Sequence, residues 1–499
     1  MMRSHWPTAA VKGWGGVAAL LIVHITVWTL AAVIGGASGN VHHDMLEAWD
    51  WGREWQWGYA KHPPVFAWVA GLWFLLFPRT DWAFYLLSAF SAAGGLAGVW
   101  CLAGRILPRP QQTAALLLVI LAPFFSVLAI TFNGNAILLL IWPWTAYAYV
   151  RSVQTGTLGD GVLFGAFAAV AMLSKYSSIL LLASCLTSAL LHPRARAYFA
   201  GPAPYAAIAT CLLVMLPHIL WVFDHGLTTV TYVLEKEHLA LPKALAVAAT
   251  SMLASLALNG LPMIAVWAVA GRDLPGLLSQ VAGGAVSPTG RWLSVLALAP
   301  FVLTVLAGLV GGLTVSTNFL LPAFFMMPVA LLALTDIAMG PERLTVLWRF
   351  ISGWLLAALA IAPVAAAAAF VTDADQTVEP RREIAEAATR LWHEAFPQPL
   401  RISAGTDAYG LAVPFYSPDA PHLFLLDPPG ATPWITPERI AREGLLIICE
   451  HTDVGCLARA TGLMTPAAQR RSVSLHRTFL GWSHAGTEFD VFLIPPRHP

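Results

Sequence analysis

The sequence predicts a mainly helical, polytopic membrane protein of about eleven transmembrane helices with a small C-terminal α/β domain. Three observations predict it. Of 499 residues, 58% are hydrophobic and only 11% charged, against about 25% charged in soluble domains. Charge-free apolar stretches recur as far as Val371, most of them near the roughly 20 residues that cross a hydrocarbon core. Beyond Val371 the chain becomes charged, proline-rich and ordinary in hydrophobicity.

The apolar stretches are 14–36, 82–104, 112–130, 136–150, 161–174, 176–191, 205–223, 244–270, 292–315, 319–335 and 350–371. The first is too long for a signal-peptide core and reads as an uncleaved span. The stretches on either side of Lys175, and the one beginning at Ala136, are short and need protein neighbours or a thinned bilayer. Residues 63–77 are apolar but number only about 15, the length of a juxtamembrane helix rather than a span. Lys and Arg set the orientation. With the N-terminus cytoplasmic, Arg105, Arg109, Arg151, Arg194, Arg196, Arg272, Arg291, Arg343 and Arg349 fall in cytoplasmic loops. The loop 44–64, the turns 131–135 and 316–318, the Lys175 turn and the loop 224–243 then face outward. An odd number of spans puts the C-terminus outside.

Two domains follow: a membrane domain, 1–371, with a first outer loop over 37–81, and an outer-face α/β domain, 372–499. In the latter, 381–396 has helical period, and 403–405, 422–427, 445–450, 478–480 and 488–494 read as strands. Cys101, Cys185 and Cys211 lie in apolar runs and read as small buried hydrophobes. Cys449 and Cys456 share the polar tail and could pair if it is outside the cytoplasm. A net charge of +1 lacks the basic face that nucleic acid demands. Phosphate-binding G-x-x-x-x-G-K-[ST], G-x-S-x-G and H-E-x-x-H motifs are absent.

The first outer loop carries the chemistry. If 44–54 is helical, Asp44, Glu47, Asp50 or Trp51, and Glu54 fall near one face. One carboxylate could act as general base towards an acceptor hydroxyl. A second could orient the acceptor or bind a divalent ion. The alternative is an amphipathic interfacial helix with a wet acidic face. Next come Lys61, His62, Pro63 and Pro64. The prolines can start a helix, leaving Lys61 and His62 at a helix N-terminus, where phosphate binds. The alternative there is a lysine snorkelling beside a turn. Lys175 interrupts a long apolar stretch, and a charge at membrane depth is a functional hypothesis by default. It reads as a second phosphate contact, with Tyr176 beside it, or as the marker of a turn. Asn133 and Asn135 could bond sugar hydroxyls or serve the turn itself. Asp224 and His225, followed by Glu235, Lys236, Glu237 and His238, could bind a metal or a substrate hydroxyl, although no compact metal spacing is present. His218 reads as a satisfied core histidine.

These residues carry a resemblance. Asp44, the run Trp57-Gly58-Tyr59-Ala60-Lys61-His62-Pro63-Pro64, Asn133-Gly134-Asn135-Ala136 and Ser174-Lys175-Tyr176 resemble the bacterial protein-mannosyltransferase-like C-type glycosyltransferases. That family includes lipid A aminoarabinose and galacturonic acid transferases. The resemblance covers roughly residues 14–223. It implies the C-type glycosyltransferase fold, a catalytic first outer loop and a polyprenyl-phosphate-linked sugar as donor. It implies Asp44 as the acid of that loop, Lys61 and His62 in the donor-phosphate region, Lys175 at the family's lysine after the fifth span, and Tyr59 within the substrate-binding signature. The chain departs from the pattern in three places. Met45 follows Asp44 where family members often have Glu. Lys61 and Asn135 stand where many members have acids. These changes make the site more positive, which suits an anionic donor or acceptor.

The function so implied is sugar transfer from a polyprenyl-phosphate donor to lipid A, core oligosaccharide or another lipid or glycolipid acceptor. The partners are that donor, that acceptor and membrane lipids, without nucleic acid. No cofactor is implied beyond the divalent ion that a second carboxylate could bind. A transporter or flippase of lipid-linked sugars and a protein O-glycosyltransferase are the competing readings. Against the transporter stand the absence of related halves and the gathering of polar residues at one face.

Overall fold

Apolar runs bounded by Gly, Pro and Asn become helices, and the polar tail becomes a sheet with helices. The computed structural model describes residues 13–496 except 235–238, 272, 313, 373–378 and 428–429. The chain divides into two units. One comprises Met1–Leu30, Lys61–Val65 and Tyr85–Leu359, and the other Ala31–Ala60, Phe66–Phe84 and Ala360–Pro499.

The helices up to the polar tail are α1 (Gly13–Gly35), α2 (His43–Glu54), α3 (Val65–Leu76), α4 (Asp81–Ala103), α5 (Arg109–Leu121), α6 (Ala136–Thr155), α7 (Leu158–Ser174), α8 (Ser178–Leu191), α9 (Ala195–Ala200), α10 (Ala203–Asp224), α11 (Thr228–Leu234), α12 (Leu241–Leu258), α13 (Gly260–Val269), α14 (Leu274–Val286), α15 (Arg291–Gly311), α16 (Thr317–Leu320), α17 (Met327–Leu334) and α18 (Pro341–Thr372). Among the described residues eight helical segments are long and apolar enough to cross a membrane, or ten if each of two bent pairs is one span. The expectation of about eleven divides differently. Stretches 161–174 and 176–191 are α7 and α8, apolar but short of span length. Stretch 112–130 bends by 76° after α5, where Pro123 cannot donate to a continuing helix. Stretch 244–270 becomes α12 and α13, and α13 bends by 99° into α14. Asp273 caps α14 by accepting from the Gly276 N–H at 2.9 Å. Helix α3 is too short to cross and exposes Leu72, Leu75 and Leu76 along one stripe, as expected of a juxtamembrane helix.

Small residues set the tightest helix contacts, as in membrane bundles generally. Gly161 and Gly165 on α7 face Ala203 and Ala207 on α10. A Cβ on either glycine would stand 2.3 Å from the facing alanine's carbonyl oxygen.

The polar tail holds β1 (Ile402–Gly405), β2 (His422–Leu423), β3 (Leu445–Glu450), β4 (Gln469–Leu475), β5 (Thr478–Phe479), β6 (Trp482–Ser483) and β7 (Thr487–Ile494). Helices α19 (Arg381–Ala395), α20 (Asp407–Tyr416), α21 (Pro437–Glu443) and α22 (Val454–Gly462) accompany them. The main sheet has order β2-β1-β3-β7-β4, with β1 parallel to β2 and β3, and β7 antiparallel to β3 and β4. Strand β3 alternates its side chains between two cores. Leu446 and Ile448 pack with Trp392 of α19 and Val413 of α20, while Leu445, Ile447 and Cys449 pack with Ile435, Cys456 and Ala460. Strand β3 is therefore buried on both faces. Cys449 and Cys456 form a disulfide that ties β3 to α22, and Cys101, Cys185 and Cys211 are free.

The first loop folds within the same unit as this sheet. Arg381 donates through Nη1 to the Val41 carbonyl at 3.0 Å, and the Asn40 side chain donates to the Glu379 carbonyl at 2.8 Å. Arg53 holds the carbonyls of Ala420 and Pro421 at 3.0 and 3.1 Å. Arg79 holds those of Pro414 and Ser417, both at 2.8 Å. Each guanidinium satisfies loop carbonyls that would otherwise be unpaired.

Candidate functional site

In the unit that holds the sheet, α2 positions the acidic residues. Helix α2 is buried from Met45 to Gly52, so the wet amphipathic helix expected as the alternative is not what forms. Its backbone touches that of α3: a Cβ on Gly52 would stand 2.3 Å from the Ala67 carbonyl oxygen and 2.6 Å from the Gly71 nitrogen. Asp44 lies in the first turn, where the helix dipole favours an anion, and its side chain is 34% exposed. His43 Nε2 stands 3.2 Å from its Oδ1, and this hydrogen bond holds the His43 pKa above its ordinary value. The Asp44 backbone N–H donates to His42 Nδ1 at 3.2 Å. One ligand atom from each of His42, His43 and Asp44 lies within 4.8 Å of the others, a donor set that suits a divalent cation such as zinc.

The other acids of α2 point elsewhere. Glu47 is 7% exposed. Glu54 Oε1 lies 2.5 Å from His422 Nδ1, a hydrogen bond between the loop and β2. Asp50 is fully buried, and a backbone hydrogen bond from Leu423 only partly offsets the cost of that burial. Burial pushes its pKa up to about 7, with Glu54 adding to the rise and Arg53 opposing it. The folded chain thus keeps the Asp50 proton up to about pH 7, whereas the unfolded chain releases it near 3.8. Stability must therefore fall as pH rises between those values. Each pH interval of one there is worth up to about 1.4 kcal/mol. Asp50→Asn is expected to unfold at higher temperature than the parent at pH 8, by about 2–4 kcal/mol of stability, and to lose that advantage near pH 4. Thermal unfolding of the two proteins across this range checks it.

Tyr59 is fully buried. Its O–H donates to the Trp51 carbonyl at 2.6 Å, and its ring stacks on Trp51 at 4.9 Å. It folds the loop back on α2 after Trp55, which ends the helix with a left-handed φ of 48°, and it does not present its hydroxyl to a substrate as expected.

In the other unit, the basic and amide residues form a closed circuit. His62 lies beside Gly134, 3.9 Å from where a Cβ would stand. In the same turn, Asn133 Oδ1 accepts from the backbone N–H groups of Asn135 and Ala136 at 2.9 Å each. Asn133 therefore caps α6, which is the turn reading rather than the sugar-binding one. Asn135 Oδ1 accepts from Lys175 Nζ. That ammonium also sits 4.7 Å over the Phe319 ring, a cation–π contact. Lys175 falls at the extended residue that ends α7. Next to it, the Tyr176 hydroxyl meets His218 Nε2 at 2.7 Å and Thr229 Oγ1 at 3.0 Å. His218 is buried and satisfied, as expected. Tyr232, one turn after Thr229 on α11, faces the His62 ring at 6.3 Å and closes the circuit. Lys61, His62, Asn135, Lys175, Tyr176 and Tyr232 are each partly exposed.

His225 joins through stacking: its ring lies 4.2 Å from Trp221, which stacks on His218 at 6.3 Å. Asp224 is exposed at the end of α10. The expected Glu235, Lys236, Glu237 and His238 lie outside the described residues. The same unit contains an apolar cavity of about 390 Å³, lined in part by Phe124, Phe125, Met263, Trp267, Leu278 and Phe324. It adjoins the bent helices. Sequence reasoning did not single out Tyr232 and Phe319, although Tyr232 lies within the outer loop 224–243 and Phe319 directly follows the turn 316–318. A pairing of Glu54 with His422, 368 positions apart, left no local signal either.

Comparisons with known proteins show what this chain is similar to. A family model described as dolichyl-phosphate-mannose-protein mannosyltransferase matches residues 61–221. The chain is 24% identical over 239 residues to the lipid A galacturonosyltransferase RgtD of Rhizobium johnstonii. That match takes in 44% of this chain and 46% of the relative, so the chain spans about half of the relative's length. Two crystal structures of ArnT from Cupriavidus metallidurans, one bound to undecaprenyl phosphate and one in the apo state, share the fold. Each has a TM-score of 0.61 at 14% identity, over 96% of this chain and 98% of theirs. These matches bear out the resemblance read from the sequence, to the protein-mannosyltransferase-like C-type glycosyltransferases.

Proposed function

We propose that this protein transfers a sugar from a polyprenyl-phosphate donor to lipid A, core oligosaccharide or a related envelope lipid. The reaction takes place at the outer face of a bacterial inner membrane, with the N-terminus cytoplasmic and the C-terminus periplasmic. The observation that carries this reading is the circuit from His62 through Asn135, Lys175 and Tyr176 to Tyr232. The Lys175 ammonium stands there, at the break between two short apolar helices, with the His62 imidazole in the same circuit, and such groups suit an anionic lipid headgroup. RgtD, by its name, acts on lipid A, and one ArnT structure holds undecaprenyl phosphate, which supports the same pairing of carrier and acceptor here.

In this reading Lys61, His62 and Lys175 hold the donor phosphate. Asp44 takes the proton from an acceptor hydroxyl. The oxygen attacks the anomeric carbon as the bond from that carbon to the phosphate oxygen breaks, and polyprenyl phosphate leaves with its charge held by the cations. A single displacement inverts the anomeric centre. Glu47, one turn after Asp44, orients the acceptor. A divalent cation held by His42, His43 and Asp44 would add positive charge beside the acceptor.

Lys61→Ala in the purified protein is expected to raise the KM for a polyprenyl-phosphate sugar about tenfold or more, in line with the about 1.5–3 kcal/mol of a hydrogen bond to a charged group. An unchanged donor KM would remove Lys61 from the clamp.

A further inference from the structure

The strands β5 and β6 form a two-stranded hairpin apart from the main sheet. Its tip carries two of the more exposed apolar side chains among the described residues: Leu480 is 81% exposed and Trp482 75%. The turn is left-handed at both central residues, with φ of 50° at Leu480 and 83° at Gly481. Asn or Asp ordinarily precedes Gly in such a turn, and a bulky leucine there is out of place both conformationally and in water.

The base of the hairpin is fixed where two membrane helices end. Phe370, in the last turn of α18, packs against Phe479 at 5.7 Å. Its carbonyl accepts from His484 Nε2 at 2.5 Å. Arg477, just before β5, donates to the carbonyls of Ser38 and Gly39 at 3.0 and 2.7 Å, beyond the end of α1. It also pairs with Glu383 at 2.7 Å. Both α1 and α18 have the length and hydropathy of membrane spans. Val371, the residue after Phe370, is 81% exposed, as the lipid-facing side of a span must be. An apolar tip tied to two span ends lies at the level where a bilayer changes from hydrocarbon to headgroup. Tryptophan favours that level because its ring is apolar and its N–H is wet.

We propose that the β5–β6 hairpin is a membrane-interface anchor. In this assignment Leu480 and Trp482 insert into the leaflet at which α1 and α18 end, and the Arg477 and His484 contacts hold the hairpin at that depth.

The test uses the full chain in nanodiscs of phosphatidylethanolamine and phosphatidylglycerol. Cys101, Cys185 and Cys211 are replaced by Ala, and Leu480→Cys carries an environment-sensitive fluorophore. A second protein carries the same label at Trp482→Cys, so that a folding defect of one variant does not decide the outcome. The expected result is a blue-shifted emission, quenching by a doxyl-labelled phospholipid, and iodide quenching several-fold weaker than for the same dye on glutathione. Iodide quenching equal to that of the glutathione adduct at both positions would overturn the proposal. Shielding from iodide without quenching by the doxyl lipid would overturn it too, since protein rather than lipid would then cover the tip.

Discussion

Asp44→Asn is expected to reduce sugar transfer by about 10²–10⁴-fold, the contribution of a positioned general base, while the protein still inserts and folds. The substitution keeps the size and position of the side chain. It also keeps the Asp44 backbone N–H on His42 Nδ1, because that contact does not use the carboxylate. What it removes is a proton acceptor and the partner that raises the His43 pKa. A second readout follows. The His43 imidazole should release its proton at lower pH in Asp44→Asn than in the parent, which NMR of labelled histidine detects. Loss of transfer with the His43 shift and an intact fold assigns the effect to the carboxylate. Full transfer in the variant would remove Asp44 as base.

The second large effect is structural. Gly52→Val should collapse the acidic loop, because the new Cβ would stand 2.3 Å from one backbone atom of α3 and 2.6 Å from another. Overpacking of a side chain typically costs about 1–3 kcal/mol, occasionally more. Here the obstacle is backbone on both sides and cannot rotate away, so the upper end applies. Transfer should fall to background, and protease should cut between Asn40 and Lys61 in the variant but not in the parent. Gly35→Ala is the matched control: its Cβ would stand 3.7 Å from the Ala362 carbonyl oxygen, an ordinary contact, and should leave transfer and protease resistance near those of the parent.

The parts of this protein written in local pattern were legible in the sequence. The apolar runs found most of the spans. The helical period of 381–396 matches α19, and the apolar run 445–450 is β3. Lys175 stood out because a charge interrupts an apolar stretch, and the structure gives it Asn135 and Phe319 as partners. Strand β4 was missed because it is the edge strand: Gln469, Arg470, Arg471 and Ser472 need no apolar face. The helix break at Pro123 hid inside a run that stays apolar across the bend. The acids of α2 looked alike in sequence. Burial separates them into a partly exposed Asp44, a fully buried Asp50, and a Glu54 against His422. That sorting depends on partners more than 300 positions away, such as Arg381 for Val41 and Pro421 for Arg53, and no local pattern announces them.

The central claim is sugar transfer by a single displacement from a polyprenyl-phosphate donor. The purified protein in proteoliposomes, given a polyprenyl-phosphate-linked sugar and lipid A, tests it most directly by mass spectrometry of both lipids. The expected result is polyprenyl phosphate and glycosylated lipid A in equal amounts, with inversion at the anomeric carbon. Intact donor moved across the bilayer with no glycosylated product would contradict it and point to transport instead.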